Sequence, residues 1–527
     1  MRLRSKKRTA EEKQKIIENI SISDQAEIST SLRENDEIIR KMLGNSDDFI
    51  SRKILLNKQQ PIQVQLYYID ALVDKDTLQN DLLGCILNLP SKVDPSWKTE
   101  KDLYDFLQNE TINTSDLTKI ENLKELFSNL LSGDTIILIE GYSKAFATNT
   151  RGGQDRGVPE VTTQKIIRGP KEGFTERIGT NIGLVRRRIK DPNLWVKKYC
   201  IGEKTQTEVS IAYINGIVND DIVKEVDQRL SRIEIDSILE SGYIEQLIQD
   251  AKYSPFPTIN NTERPDTIAA GLLEGRIAIF VDGSPFTLLV PALFTDFLQS
   301  SEDYYQRSDI GTLLRLLRTF AFFLAMMTPA GYIALTMFHQ EMVPTTLLVG
   351  LAAQREGIPF PAFIEALIME ITFELLREAG VRLPSSVGSA ISIVGALVLG
   401  QAAVEAGIVS SAMVIVVSLT AIASFVFPSY NLAITVRILR FGFMALAASF
   451  GFFGIFIGLI LLVFHLVSLR SFGIPYTTPL APFIAVDQKD VFVQSVLWKE
   501  RTRPRLISQK NITRSKLNLP EAQKKKR

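Results

Sequence analysis

The chain has 527 residues, 45% of them hydrophobic, and its 60 Lys and Arg nearly cancel its 59 Asp and Glu. Single cores stop growing near ~250–300 residues, so at least two folding units are expected. The even charge offers no global field to a polyanion and argues against a nucleic-acid binder, while two Cys and two His give neither a disulfide framework nor a zinc cluster.

Residues 1–45 are rich in Lys, Glu, Ser and Asn and read as a charged, partly helical or disordered tail. Their basic start runs into more charge instead of an apolar core, so it is not a signal peptide, and the N-terminal region is expected in the cytoplasm. From about residue 50 to 300, strand-like runs such as "IQVQLYYIDAL", "DTIILIEGY", "TEVSIAYINGIV" and "RIAIFVDGS" alternate with helical segments. This is the pattern of an α/β region.

Two stretches repeat within it. "YIDALVDKD" at 68–76 matches "YINGIVNDD" at 213–221, and "LSGDTIILIEG" at 131–141 matches "LEGRIAIFVDG" at 273–283, in the same order and at nearly the same offset. Duplication follows: two related subdomains, 46–165 and 201–310. Between them, 166–200 reads as a connecting basic helix ending in Arg186, Arg187 and Arg188, a candidate for anion or headgroup binding or for assembly. The second copy closes at Asp282, Gly283, Ser284 and Pro285; these are turn formers more than a reactive pair, and their nearness in sequence to the apolar region makes them candidates for coupling the soluble part to the membrane.

From residue 311 to 475 the composition becomes that of a membrane domain. Spans are expected near 319–339, 387–404, 408–427 and 443–468, with a broken or re-entrant segment at 344–378 that leaves a fifth span open. Ionisable groups inside such a domain are costly. Glu370 and Glu374 share a helix face, Glu365 points elsewhere, and Gln401 and Glu405 share a face of the next span; these five are candidates for a cation path, or else for pairs that satisfy one another. Gly454 and Gly458 have the GxxxG spacing of close helix approach, within the chain or between copies. The tail 476–527 is basic and expected on the cytoplasmic side, near anionic lipid. Phosphate-loop, HExxH and nucleophile-elbow patterns are absent, so no enzyme is indicated and no cofactor is expected.

Three stretches carry a resemblance: "RGPKEGFTERIGTNIGLVRRRIKDPNL", "GRIAIFVDGSPFTLLVPALFTDFLQSSEDYYQR" and "PFPAFIEALIMEITFELLREAGVRLP". Over roughly 50–480 the chain resembles the A subunits of GerA-type spore germination receptors. The resemblance implies a nutrient-responsive complex in the spore inner membrane, with a transporter-like B subunit, a C lipoprotein, a homo-oligomer of A subunits and ion release on nutrient binding. The expected architecture is an α/β soluble N-terminal region of two related subdomains followed by an α-helical polytopic membrane domain.

Overall fold

The computed structural model describes residues 27–56, 62–83, 117–152, 159–382 and 398–514. Most of the expected span 387–404, the first residues of the tail 1–45 and the last of the tail 476–527 lie outside the described residues.

The first lobe holds α1 (Leu32–Met42), β1 (Phe49–Leu56), β2 (Ile62–Ile69), β3 (Thr118–Ile120), α2 (Leu123–Leu130), β4 (Thr135–Ile139) and β5 (Ala145–Thr148). Helix α1 falls in the stretch expected to be a solvated tail, yet Leu32, Ile39 and Leu43 are buried in the lobe core. The apolar positions recur at helical spacing among charges, which buries one face and leaves the rest wet. At α2 the Asn122 side chain accepts from the Glu125 amide at 2.8 Å, an N-cap that fixes where the helix begins.

The second lobe holds α3 (Ile178–Arg188), β6 (Leu194–Ile201), β7 (Thr207–Ile214), α4 (Asp220–Ser231), α5 (Ser241–Ile248), β8 (Asn260–Thr262), α6 (Pro265–Leu273), β9 (Ile277–Val281) and β10 (Thr287–Val290). Each lobe has one antiparallel sheet, ordered β1-β2-β4-β5-β3 in the first and β6-β7-β9-β10-β8 in the second. The topology is the same, and so is the register. Val64 faces Ile139 in one sheet and Val209 faces Val281 in the other, the offsets of 145 and 142 by which the sequence repeats. Helix α3 is more than a connector: Ile178, Ile182, Leu184 and Val185 belong to the second lobe's core.

The helical C-terminal region comprises α7 (Ser308–Met337), α8 (Thr345–Arg355), α9 (Ala362–Arg382), α10 (Ser411–Ser424) and α11 (Tyr430–Ser468), with helical residues also at 398–405. Among the described residues, α7 and α11 are long and apolar enough to cross a membrane, and α10 is a shorter apolar helix. Helix α11 is not one rod. At Gly451 the backbone turns to φ 59° and ψ −140°, a conformation that only glycine adopts without strain. A Cβ added at Gly454 would lie 2.2 Å from the Leu446 carbonyl oxygen, and one at Gly458 would lie 2.8 Å from the Phe443 ring. In a continuous helix those pairs would stand about 12 Å and about 22 Å apart. The chain therefore reverses, and 430–450 and 452–468 are two antiparallel arms. The expected single span 443–468 is corrected to this hairpin, and its GxxxG spacing is used within the chain.

Hydrogen bonds fix which ends lie near the lobes. Thr435 on the outgoing arm donates to the Pro255 carbonyl at 2.5 Å, and His465 on the returning arm bonds the Ser254 hydroxyl at 2.8 Å, so both arms end at the head. The hairpin tip meets Phe338 and His339, where α7 finishes. Residues 344–378, expected as a broken segment, form α8 and then most of α9, which returns toward the head. After the hairpin the chain does not trail off as a basic tail: Ile507 is fully buried in the second lobe, and the Ser508 hydroxyl donates to the Ile217 carbonyl at 2.9 Å.

Candidate functional site

The turn after β9 is a structural junction. Asp282 Oδ1 accepts from the Ile178 amide at 3.1 Å and so caps α3, Gly283 N–H donates to the Glu176 carbonyl at 2.8 Å with φ 85°, and the buried Ser284 hydroxyl donates to Glu240 at 2.6 Å. Burial would raise the Glu240 carboxyl, but bonds from the Ser241 and Ser284 hydroxyls and the Gly242 amide hold it below the usual carboxylate range. Pro285 then leads into β10. That strand carries the chain back along the sheet to Ala292, whose amide donates to Ser471 beyond the last helix. The turn thus lies at the end of the sheet away from the bundle, so nearness in sequence misplaced it as a coupling element.

What the turn does border is a cleft of about 620 Å³ between the lobes, lined by Asp70, Asp74, Lys75, Arg177, Arg187 and Asp282 among others. Next in sequence to the lining residue Arg187, Arg186 is fully buried and donates to Asp48 at 2.5 and 2.7 Å and to the Ser46 hydroxyl at 3.1 Å. Arg188 pairs with Glu172 at 2.7 Å, and Arg187 Nη2 lies 3.5 Å from the Gly152 carbonyl. The assembly expectation for Arg186 is corrected: its charge is committed inside the chain, joining one lobe to the other.

In the bundle, α9 brings its carboxylates against arginines of three helices. Glu365, fully buried, accepts from the Ser410 amide at 3.0 Å, the Ser410 hydroxyl at 2.9 Å and Arg355 at 3.2 Å. Glu370, also fully buried, accepts from Arg440 at 2.5 Å and from Thr420 at 3.3 Å; Arg440 in turn donates to the Ala325 carbonyl of α7 at 2.8 Å. Glu374 accepts from Arg437 at 2.7 Å, with Arg377 at 3.9 Å. Arg377 also donates to the Ser424 hydroxyl and stacks over Phe373 and Phe425. Gln401 and Glu405 stand apart, hydrogen-bonded to each other at 2.8 Å and exposed.

This ladder runs from the far side of the bundle (Glu365) to the head side (Glu374). Three carboxylates meet four guanidinium groups, so no net negative field is left to draw a cation inward while the pairs are closed. The sequence showed the acids but not their partners Arg437 and Arg440, which fall between the apolar stretches expected at 408–427 and 443–468. Their signal was position between apolar runs, where an unpaired charge is not tolerated.

A duplicated antiparallel α/β head continuous with a helical bundle, two of whose described helices are long and apolar enough to cross a membrane, defines a two-part subunit of head and apolar bundle. The family described as Bacillus/Clostridium GerA spore germination protein matches residues 37–506. The chain belongs to this family. It is 49% identical over 487 residues to spore germination protein KA of Bacillus subtilis (strain 168), covering 92% of this chain and 88% of that one. It is 42% identical over 487 residues to spore germination protein GerLA of Bacillus cereus, covering 92% and 98%, and 38% identical over 488 residues to spore germination protein A1 of Bacillus subtilis, covering 93% and 98%. The crystal structure of the N-terminal domain of the A subunit of the Bacillus megaterium spore germinant receptor GerK3 aligns with TM-score 0.40 and 39% identity, covering 51% of this chain and 98% of that chain.

Proposed function

We propose that this chain is the A-type subunit of a nutrient-responsive germinant receptor, that it assembles as a homo-oligomer with a transporter-like B subunit and a C lipoprotein, and that it contributes to ion release from the spore inner membrane with its head and C-terminal segment in the cytoplasm. The family match over 37–506 supports the receptor role. The buried ladder of Glu365, Glu370 and Glu374 supports the ion-pathway part if its arginine pairs represent a closed state, from which conduction needs those arginines to swing away. Opening costs less if a neighbouring subunit or water takes over the freed charges, since an isolated buried charge is penalised by several kcal/mol.

Ion release from spores carrying Glu374→Gln, compared at equal protein level with wild type, tests this. Glu374 is the rung nearest the head and the least buried of the three. Altered release supports the path; unchanged release removes it. The complete pairing of the ladder also favours a second reading, an anchor whose helices carry the head while another protein moves the ions. Purified chain in liposomes distinguishes the two, because an anchor conducts under no condition.

A further inference from the structure

The first turns of α7 and the chain after the hairpin are inside out. In α7 the arginines face inward: Arg315 and Arg318 bond Asp303, and Arg315 also bonds Asp490 at 2.8 Å. Its outward face is Ile310, Leu313, Leu317 and Phe320, exposed by 43 to 67%. Residues 480–498 repeat this arrangement without a regular helix. Gln494 and Asp490 turn inward, toward Thr312, Gln299 and Arg315, while Phe483, Val486, Phe492, Val493, Leu497 and Trp498 are exposed by 36 to 75%.

A chain that meets water on this face would gain by the opposite arrangement. Six large apolar side chains turned outward beside buried polar groups match an apolar surrounding, and aromatic residues favour the headgroup level. The face is continuous with the lipid-facing side of α7 through the Gln494–Thr312 and Asp490–Arg315 bonds. Lys499, Arg501 and Arg505 follow directly, exposed or half-exposed, as basic flanks suited to anionic headgroups.

We propose that residues 480–498 form a collar lying in the head-side headgroup layer of the bilayer, with Phe483, Val493, Leu497 and Trp498 inserted into lipid. The collar rests on the membrane reading of the bundle. It ties the head's C-terminal segment to the plane of the membrane, so that tilting α7 against the lipid surface pulls on the second lobe.

The test uses the full chain with Cys85→Ser and Cys200→Ser, carrying a spin label at Phe483→Cys, Val493→Cys or Leu497→Cys, in phosphatidylglycerol and phosphatidylethanolamine vesicles. Collision with oxygen, which partitions into lipid, is compared with collision with a water-soluble nickel chelate. The collar gives an oxygen-to-nickel ratio several-fold above that at Lys510→Cys. A nickel-accessible label overturns it, and so does a label shielded from both reagents, which would mean a second copy of the chain covers the face. A label at Ile460→Cys, exposed midway along the returning arm of the hairpin, separates the two readings: if it too is water-accessible the membrane reading fails, whereas lipid contact there and not at 483–497 removes the collar alone. Photolabelling of the unsubstituted chain with a diazirine phospholipid gives an independent readout, with adducts expected in the 480–498 peptide and their absence there counting against the collar.

Discussion

Glu370 and Arg440 show what a single buried charge demands. Both are essentially inaccessible, and Arg440 also holds the Ala325 carbonyl, so the pair joins α9, α11 and α7 at one point. Glu370→Gln leaves a buried guanidinium uncompensated and is expected to cost about 3–5 kcal/mol, seen as loss of accumulated protein and a lower Tm in detergent. Glu370→Leu combined with Arg440→Leu is expected to recover most of that loss, because well-packed apolar groups replace a buried pair at little net cost. A double variant no better than the single one would show that the pair does more than neutralise itself. Glu500 gives a pH dependence. Burial and the nearby Asp490 push its carboxyl up to about 7, only partly offset by Arg514 at 3.3 Å. Its folded value lies above the unfolded ~4.3, so the folded state holds the proton longer and stability falls as pH rises from about 5 to about 7, then levels off. Hydrogen exchange in residues 500–514, corrected for intrinsic rates, is expected to speed up across that window, and Glu500→Gln is expected to flatten it.

At the scale of elements, the hairpin of α11 makes the clearest demand on sequence. Gly451 supplies the reversal, and Gly454 and Gly458 let the arms touch. Gly454→Ala forces the Leu446 carbonyl away and is expected to cost roughly 1–3 kcal/mol, with Gly454→Val worse, measured as protein level and Tm. Normal behaviour of Gly454→Val would mean that the arms are further apart than described. The cap on α3 is a milder device. Asp282→Ala removes the acceptor for the Ile178 amide and is expected to cost ~1 kcal/mol, without the uncoupling from the membrane that its sequence position suggested. Beside the Thr435 and His465 hydrogen bonds, aromatic residues join head and bundle: Phe256, Phe294 and Tyr476 meet with ring centroids 6.2 to 6.4 Å apart, and Phe294 reaches Phe322 of α7 at 5.7 Å.

Across the whole molecule, the duplicated lobes were legible because strand repeats carry their own offset, and that offset reappears in the register of both sheets. The division into head and bundle was legible because uncharged runs of span length are hard to mistake. What escaped is contact between distant segments. Nothing near Arg186 announces Asp48, and nothing near Gly451 announces that a run of apolar residues folds back on itself. The carboxylates were found as residues, but their partners on other helices were not, so a cation path and mutually satisfying pairs both stayed open until the arginines were placed. Arg186→Ala is expected to strand Asp48, cost about 3–5 kcal/mol and loosen one lobe from the other. Thermal unfolding of the full chain should then show the first lobe melting earlier, whereas a single unshifted transition would mean that the remaining contacts suffice.

The reversal at Gly451 also decides how little of the protein reaches the far surface. Each arm has one end at the head, α7 leads outward and α9 leads back, so the described residues on that side are helix α8 and the connections 338–344, 356–361 and 406–410, with the glycine itself. Among the described residues, a partner arriving from that side would meet α8 and the rims of turns, with no separate domain to grip. A tag or small folded insert at 356–361 that leaves germination intact would show that no partner needs that rim, and one that blocks it at normal protein level would show that one does.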